Sequence, residues 1–133
     1  MFSLSLAVLS FTIVVLLGGA LAIQILRRPT RAPSRAPSRL LAWLHGIAAL
    51  LSYGVLLVAL MGPPPGQQLR GAATGTQSFG LIAALLLLLA AVIGIVSLVL
   101  HLFRRRMPGI AIGVHASVAV FGYVILAVYL LAG

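Results

Sequence analysis

The chain of 133 residues contains no Asp, Glu, Lys or Cys, and its only charged side chains are nine arginines. The missing carboxylates exclude Asp-containing catalytic triads and carboxylate metal sites within the chain. They also argue against four-helix multidrug exporters and rotary-ATPase proteolipids, which depend on a carboxylate in the membrane. Without cysteine there are no disulfides and no thiolate ligands for a metal. Any chemistry must therefore depend on His, Tyr, Ser, Thr or Arg.

Apolar residues make up 62% of the sequence and fall into four long runs. Each run exceeds the roughly 20 helical residues that cross a hydrocarbon core about 30 Å thick. Membrane β-strands would alternate polar and apolar residues, which these runs do not. The sequence predicts an all-α, four-helix transmembrane bundle forming one domain over residues 1–133. The predicted spans are Phe2–Leu26, Leu40–Met61, Phe79–Phe103 and Met107–Ala132.

The first span is predicted to be a retained helix rather than a signal peptide. It has no basic segment before it, its apolar core is too long, and Arg27 and Arg28 follow it directly. The short connections between spans leave no room for a soluble catalytic domain. A site would have to lie between helices or at the membrane interface.

The arginines predict how the chain lies in the membrane. Five occur in the first connection and three in the third, against Arg70 alone in the second. By the positive-inside rule, the first and third connections face the cytoplasm and both termini lie outside, in the periplasm of a bacterial-type inner membrane. Because all nine arginines lie beside membrane spans, lipid phosphates, cofactor carboxylates and acidic neighbours are better partners for them than nucleic acid.

Two pairs of segments suggest that the chain consists of two related helical hairpins. The first and third spans each end in an Arg-Arg pair, and the second and fourth each carry a histidine followed eight residues later by a tyrosine. Such a pattern predicts a parallel repeat about an axis along the membrane normal. The paired segments are Gln24–Arg28 with His101–Arg105, and His45–Tyr53 with His115–Tyr123.

All three histidines are predicted to lie in the cytoplasmic leaflet. From the helical rise, His45, His115 and His101 lie roughly 9, 12 and 5 Å inside the boundary. An ionisable side chain at such a depth is a candidate for function. His45 and His115, on the repeat-related second and fourth helices, are the pair predicted to face each other.

Small residues occur seven positions from each histidine, on the same helical face. Ser52 follows His45, Gly122 follows His115, and Gly94 precedes His101. A histidine above a small residue is typical of a haem site, because the ring ligates iron and the missing side chain leaves room for the macrocycle. The other glycines, Gly18, Gly19, Gly54, Gly80 and Gly113, are interpreted as packing residues.

Arg39 and Arg104 are predicted to lie where the propionates of such a haem would emerge. His101 has three possible roles: an alternative axial ligand, a hydrogen-bond donor or a quinone ligand. An ordinary interfacial histidine is the simpler interpretation of that residue. The three histidines together could instead hold zinc or copper, although their unequal depths on separate helices make this less favourable than haem.

The aromatic residues have structural interpretations. Trp43 and Tyr129 are predicted to anchor the inner and outer membrane boundaries. Tyr53 and Tyr123 lie deeper, and their hydroxyls are expected to bond each other or backbone carbonyls.

With His45 on the second helix and His115 on the fourth, the chain resembles the small four-helix membrane cytochromes b of the cytochrome b561 and membrane-anchor kind. The resemblance implies one haem b ligated by this pair and electron exchange with quinone. A second haem is not implied, because Gln24 stands at the position that corresponds to His101. The expected function is that of an electron-transfer subunit in a larger redox complex. The alternatives are an accessory subunit that binds no cofactor and a small transporter or channel half that dimerises.

Overall fold

The computed structural model describes residues 2–27, 38–61, 77–103 and 109–132. They form four helices: α1 over Phe2–Leu26, α2 over Arg39–Met61, α3 over Gln77–Leu102 and α4 over Gly109–Ala132. Each helix is long and apolar enough to cross a membrane. The predicted fold is confirmed: the protein is a four-helix bundle of the multi-pass membrane type. The prediction that both termini lie outside remains a prediction.

The helix bounds differ slightly from the predicted spans. α3 begins at Gln77, two residues before the predicted start, and the described part of α4 begins at Gly109. Met107 and Pro108, at the predicted start of the fourth span, lie outside the described residues.

The start of α2 is capped by Ser38. The Ser38 hydroxyl accepts a hydrogen bond from the Leu41 backbone N–H at 3.3 Å, as an N-cap residue does. The Ser38 backbone N–H in turn donates to Gln24 Oε1 at 3.2 Å. This second bond ties the last turn of α1 to the first turn of α2.

Each helix packs against two neighbours. The most extensive contacts lie within the hairpins α1–α2 and α3–α4, and smaller ones join α2 to α3 and α1 to α4. The diagonal pairs, α1 with α3 and α2 with α4, have no close backbone approach within the described ranges. Exchanging the two hairpins leaves this arrangement unchanged, as expected for a parallel repeat.

The buried positions recur in register between the hairpins. On α1 and α3 the matching buried residues are Ala7 with Ala83, Phe11 with Leu87, and Val14 with Ala90. On α2 and α4 they are Ser52 with Gly122, and Leu56 with Leu126. We call the α1–α3 correspondence the packing register. The alignment that the two Arg-Arg pairs suggest is shifted from the packing register by one residue. The buried positions therefore correct that alignment of α1 with α3.

Burial is uneven along the bundle. We call the end where α1 and α3 finish and α2 and α4 begin the arginine end, since Arg27 and Arg39 lie there. The buried side chains in the described residues extend from the opposite end of the bundle to about its middle, at Val14 and Ala90, and no further toward the arginine end. The inward-facing residues of the arginine half are only partly buried. The buried side chains fall within Ala7–Val14, Ser52–Leu56 and Ala83–Ala90, and at Leu126.

Candidate histidine site

His45 and His115 meet inside the arginine half of the bundle. They come from the diagonal helices α2 and α4, yet their ring centroids are 6.2 Å apart and their planes cross at 86°. The prediction that these two residues face each other therefore agrees with the structure. Each imidazole must reach across the interior between α1 and α3 to approach the other.

Each ring is held by a backbone carbonyl of its own hairpin. His45 Nδ1 lies 3.1 Å from the Val14 carbonyl oxygen on α1, and His115 Nδ1 lies 2.9 Å from the Ala90 carbonyl oxygen on α3. A carbonyl only accepts hydrogen bonds, so both Nδ1 atoms are the protonated donors. In a neutral imidazole, Nε2 then carries a lone pair. The described residues provide no hydrogen-bond partner for either Nε2.

Glycine makes these carbonyls accessible. Gly18 and Gly94 each lie four residues after the accepting carbonyl, where a helical side chain would lean back over it. A Cβ atom added at Gly18 would lie 3.0 Å from His45 Cε1, and one added at Gly94 would lie 3.0 Å from His115 Cε1. Both glycines are therefore in direct contact with a histidine of the neighbouring helix.

These contacts give two glycines partners that spacing along a single helix does not reveal. Spacing along α3 pairs Gly94 with His101, but Gly94 packs against His115 of α4. Spacing along α1 gives Gly18 no histidine partner, but Gly18 packs against His45 of α2. Both interpretations use spacing within one helix, whereas the contacts cross to the adjacent helix of the hairpin.

Ser52 and Gly122 occupy equivalent buried positions two turns further from the arginine end. Ser52 is 3% exposed. A Cβ atom at Gly122 would meet Leu87 Cγ at 3.0 Å and Leu86 Cβ at 3.1 Å. Leu86 and Leu87 therefore fill the space beside Gly122. The prediction that the missing side chain at Gly122 leaves room for a macrocycle is wrong, because this layer is closely packed.

The predicted arginine and third histidine positions are only partly described. Arg39 is exposed at the first turn of α2, six residues before His45. Arg104 lies outside the described residues. His101 belongs to the last turn of α3, but its side chain is also outside the described part. In the packing register Gln24 corresponds to Leu100 and not to His101, and its side chain bonds Ser38.

A hydrogen bond joins the two hairpins next to the site. Thr12 Oγ1 lies 2.9 Å from the Val8 carbonyl oxygen and 2.8 Å from the Tyr123 hydroxyl. Since the Thr12 proton goes to the carbonyl, the Tyr123 hydroxyl donates to Thr12. The expectation that Tyr53 and Tyr123 bond each other or backbone carbonyls is thus wrong for Tyr123, whose partner is the Thr12 side chain.

In the described ranges, no group of three or more His, Cys, Asp or Glu side chains could hold a metal ion. The His101 side chain is outside those ranges, so the three-histidine arrangement for zinc or copper remains a prediction. Two imidazoles with their Nε2 lone pairs available are the candidate ligands in the described residues.

Comparison of the chain with protein-family models, with curated proteins and with solved structures finds no significant match. Its function must therefore be inferred from the bundle and the histidine pair.

Sequence reasoning identifies the two histidines but misses what holds them. A second alignment of the two hairpins carries a signal for these partners. When Gly18 of the first hairpin is aligned with Gly94 of the second, Val14 corresponds to Ala90. Aligning glycines instead of arginines would have marked Gly18 and Gly94 as equivalent positions, although their contacts with the histidines come only from the packed bundle.

Proposed function

We propose that this protein is a small membrane cytochrome b subunit that binds one haem b between His45 and His115 and takes part in electron transfer. The observation that carries the proposal is the opposition of two imidazoles whose Nδ1 atoms are both committed as donors. The Nε2 atoms are then the ligating nitrogens, as is usual when a metal-bound histidine donates its other N–H to a carbonyl.

The separation of the rings fits a shared metal. Two imidazoles that held one metal ion at an ordinary metal–nitrogen distance would have ring centres roughly 6 Å apart. The centroids of His45 and His115 are 6.2 Å apart. The donor set also fits, since neutral imidazole is a common axial ligand of haem iron.

The surroundings of the pair fit a flat macrocycle. Among the described residues, none between the histidine layer and the arginine end is buried, although the rest of the bundle has a continuous core. A macrocycle bound at this end would bury residues that are only partly buried in the protein alone, which close packing favours. Gly18 and Gly94 keep side chains from α1 and α3 out of the histidine layer.

A bound haem would supply a one-electron carrier. The chain's own residues would do the remaining work: the Nδ1–H donors orient the rings, and the apolar helices exclude water. Arg39, with Arg104 in the next basic segment, offers guanidinium groups to propionates. On this proposal the arginine end faces the cytoplasm, and the electron partners are a membrane quinone or other subunits of a redox complex.

The alternative function, an accessory subunit without a cofactor, is favoured by one observation. Each histidine already has a structural role, because its Nδ1–H fastens α2 to α1 or α4 to α3. On this alternative the pair only locks the hairpins, and the apolar helix surfaces pack against larger membrane partners.

Absorption spectroscopy separates the two functions. The purified protein, expressed with sufficient haem, is expected to show a Soret band that His45→Ala and His115→Ala each remove. The matched control is Trp43→Phe, which changes an exposed aromatic residue near the same end. A colourless wild-type protein that co-purifies in fixed ratio with a larger assembly would instead establish the accessory role.

A further inference from the structure

We infer that Gly18 and Gly94 are positioning residues that set the tautomer and orientation of the two histidine rings, each acting through the carbonyl that it leaves uncovered. The inference rests on the proposed function, because it explains how the Nε2 atoms of both rings are made available as ligands. It concerns the protein without haem as well, because the contacts involve only residues of the chain.

In a helix, the Val14 carbonyl accepts the N–H of Gly18 and keeps a second lone pair. A side chain at position 18 would lean toward the N-terminus and cover that lone pair. With glycine there, His45 Nδ1 reaches the oxygen at 3.1 Å. The same relation holds for Ala90, Gly94 and His115, at 2.9 Å.

Each of the two glycines also lies in direct contact with a histidine ring. A Cβ at either glycine would meet the Cε1 atom of the facing ring at 3.0 Å and its Nδ1 atom at 3.5 Å. The nearest atoms belong to the edge of the ring that makes the hydrogen bond. An added methyl group therefore requires the ring to shift by a few tenths of an ångström. We expect this shift to lengthen the hydrogen bond to the carbonyl and to weaken the preference for a proton on Nδ1.

The contact between a glycine and a histidine ring occurs in both hairpins and is not shared by every glycine of the helices. Gly19, next in sequence to Gly18, has nothing within 4 Å of an added Cβ, and the same is true of Gly113. These two positions provide matched Gly→Ala controls, because they carry the same change in helix propensity without touching a ring.

The test is nitrogen NMR of imidazole-labelled full-length protein in lipid nanodiscs, prepared without haem and then titrated with haem. In the wild type both rings should be Nδ1–H tautomers, which is the less common form in solution. Gly18→Ala should change the His45 signals and leave those of His115, and Gly94→Ala should do the reverse. Gly19→Ala and Gly113→Ala should change neither ring.

Haem titration provides the second measurement. Loss of a hydrogen bond to a metal-ligating histidine typically lowers affinity about 10- to 100-fold, so Gly18→Ala and Gly94→Ala should each weaken haem binding by that factor. The absorption spectra of these two variants with oxidised haem bound should also differ from the spectrum of the Gly19→Ala control. Equal tautomers and equal affinities in Gly18→Ala and Gly19→Ala would overturn the inference.

The two proposals can fail separately. If the wild type binds no haem but the imidazole signals respond as described, the proposed function fails and the positioning role of the glycines stands. If the alanine variants do not fold, the wild-type spectrum still decides, because rings in the Nε2–H form would contradict the inference by themselves.

Discussion

The two hairpins share one histidine layer but differ in the segments that link their helices. Each hairpin has a histidine that donates to a carbonyl of its partner helix and packs on a glycine. The linking segment covers 27–38 in the first hairpin and only 103–108 in the second. This difference in length accounts for the different offsets that relate α1 to α3 and α2 to α4. The linking segments therefore differ without disturbing the shared layer.

The hairpins also differ in polarity along the two contacts between them, α1 with α4 and α2 with α3, which we call seams. At the α1–α4 seam, Thr12 accepts a hydrogen bond from Tyr123. The repeat places Leu88 at the position of Thr12 and Tyr53 at that of Tyr123, so the corresponding pair on α3 and α2 cannot form this bond. Both halves therefore share the histidine layer and the buried core, whereas the hydrogen bond between Thr12 and Tyr123 occurs at one seam only.

The largest expected effect tests the symmetry of the core. Leu56 and Leu126 are fully buried at equivalent positions, so alanine at either should leave a similar cavity. In a membrane the unfolded reference state is surrounded by lipid and not by water, so the substitution loses mainly the packing contacts around the cavity that it leaves. Each variant should therefore reduce the free energy of unfolding by about 2 kcal/mol. Equilibrium unfolding in mixed micelles measures both losses.

The control for this pair is Leu51→Ala, since Leu51 is 68% exposed and should contribute little packing. The free energy of unfolding should fall by similar amounts in Leu56→Ala and Leu126→Ala. If these two reductions differ by more than the effect of Leu51→Ala, the two halves are not packed equivalently.

A smaller effect is expected from the asymmetric seam. Tyr123→Phe removes the hydrogen bond to Thr12 and should reduce the free energy of unfolding by about 0.6 kcal/mol, typical of such bonds in membrane proteins. Tyr53→Phe removes a hydroxyl that has no hydrogen-bond partner in the described residues and should have no such effect. Unfolding measurements on both variants, together with Thr12→Val in a double-mutant cycle, isolate the bond. Equal effects of the two tyrosine variants would contradict the assigned asymmetry.

The helices could be predicted from the sequence because length and apolar composition alone determine whether a helix can cross a bilayer. The histidine pair could be predicted as well, since depth is counted along one helix and the repeat related His45 to His115. Both inferences use distances along the chain, which the helical rise converts directly into position.

The partners of these residues could not be predicted in the same way. Whether Gly18 faces His45 or lipid depends on the rotation of α1 against α2, which side-chain packing determines and composition does not. The chain is apolar on all sides of its helices, so no amphipathic pattern identified the inner face. The Tyr123–Thr12 bond joins helices at opposite ends of the chain, and its partner across the seam could only be found from the packed bundle.

Electron paramagnetic resonance of the oxidised protein tests most directly whether His45 and His115 share one iron. Ring planes that cross at 86° donate to different iron orbitals, so the bound haem should give a low-spin signal of the highly anisotropic kind that perpendicular imidazoles produce. A high-spin signal, or no haem signal from protein supplied with haem, would contradict the shared iron. A rhombic low-spin signal would agree with two imidazole ligands and would contradict only their crossed planes.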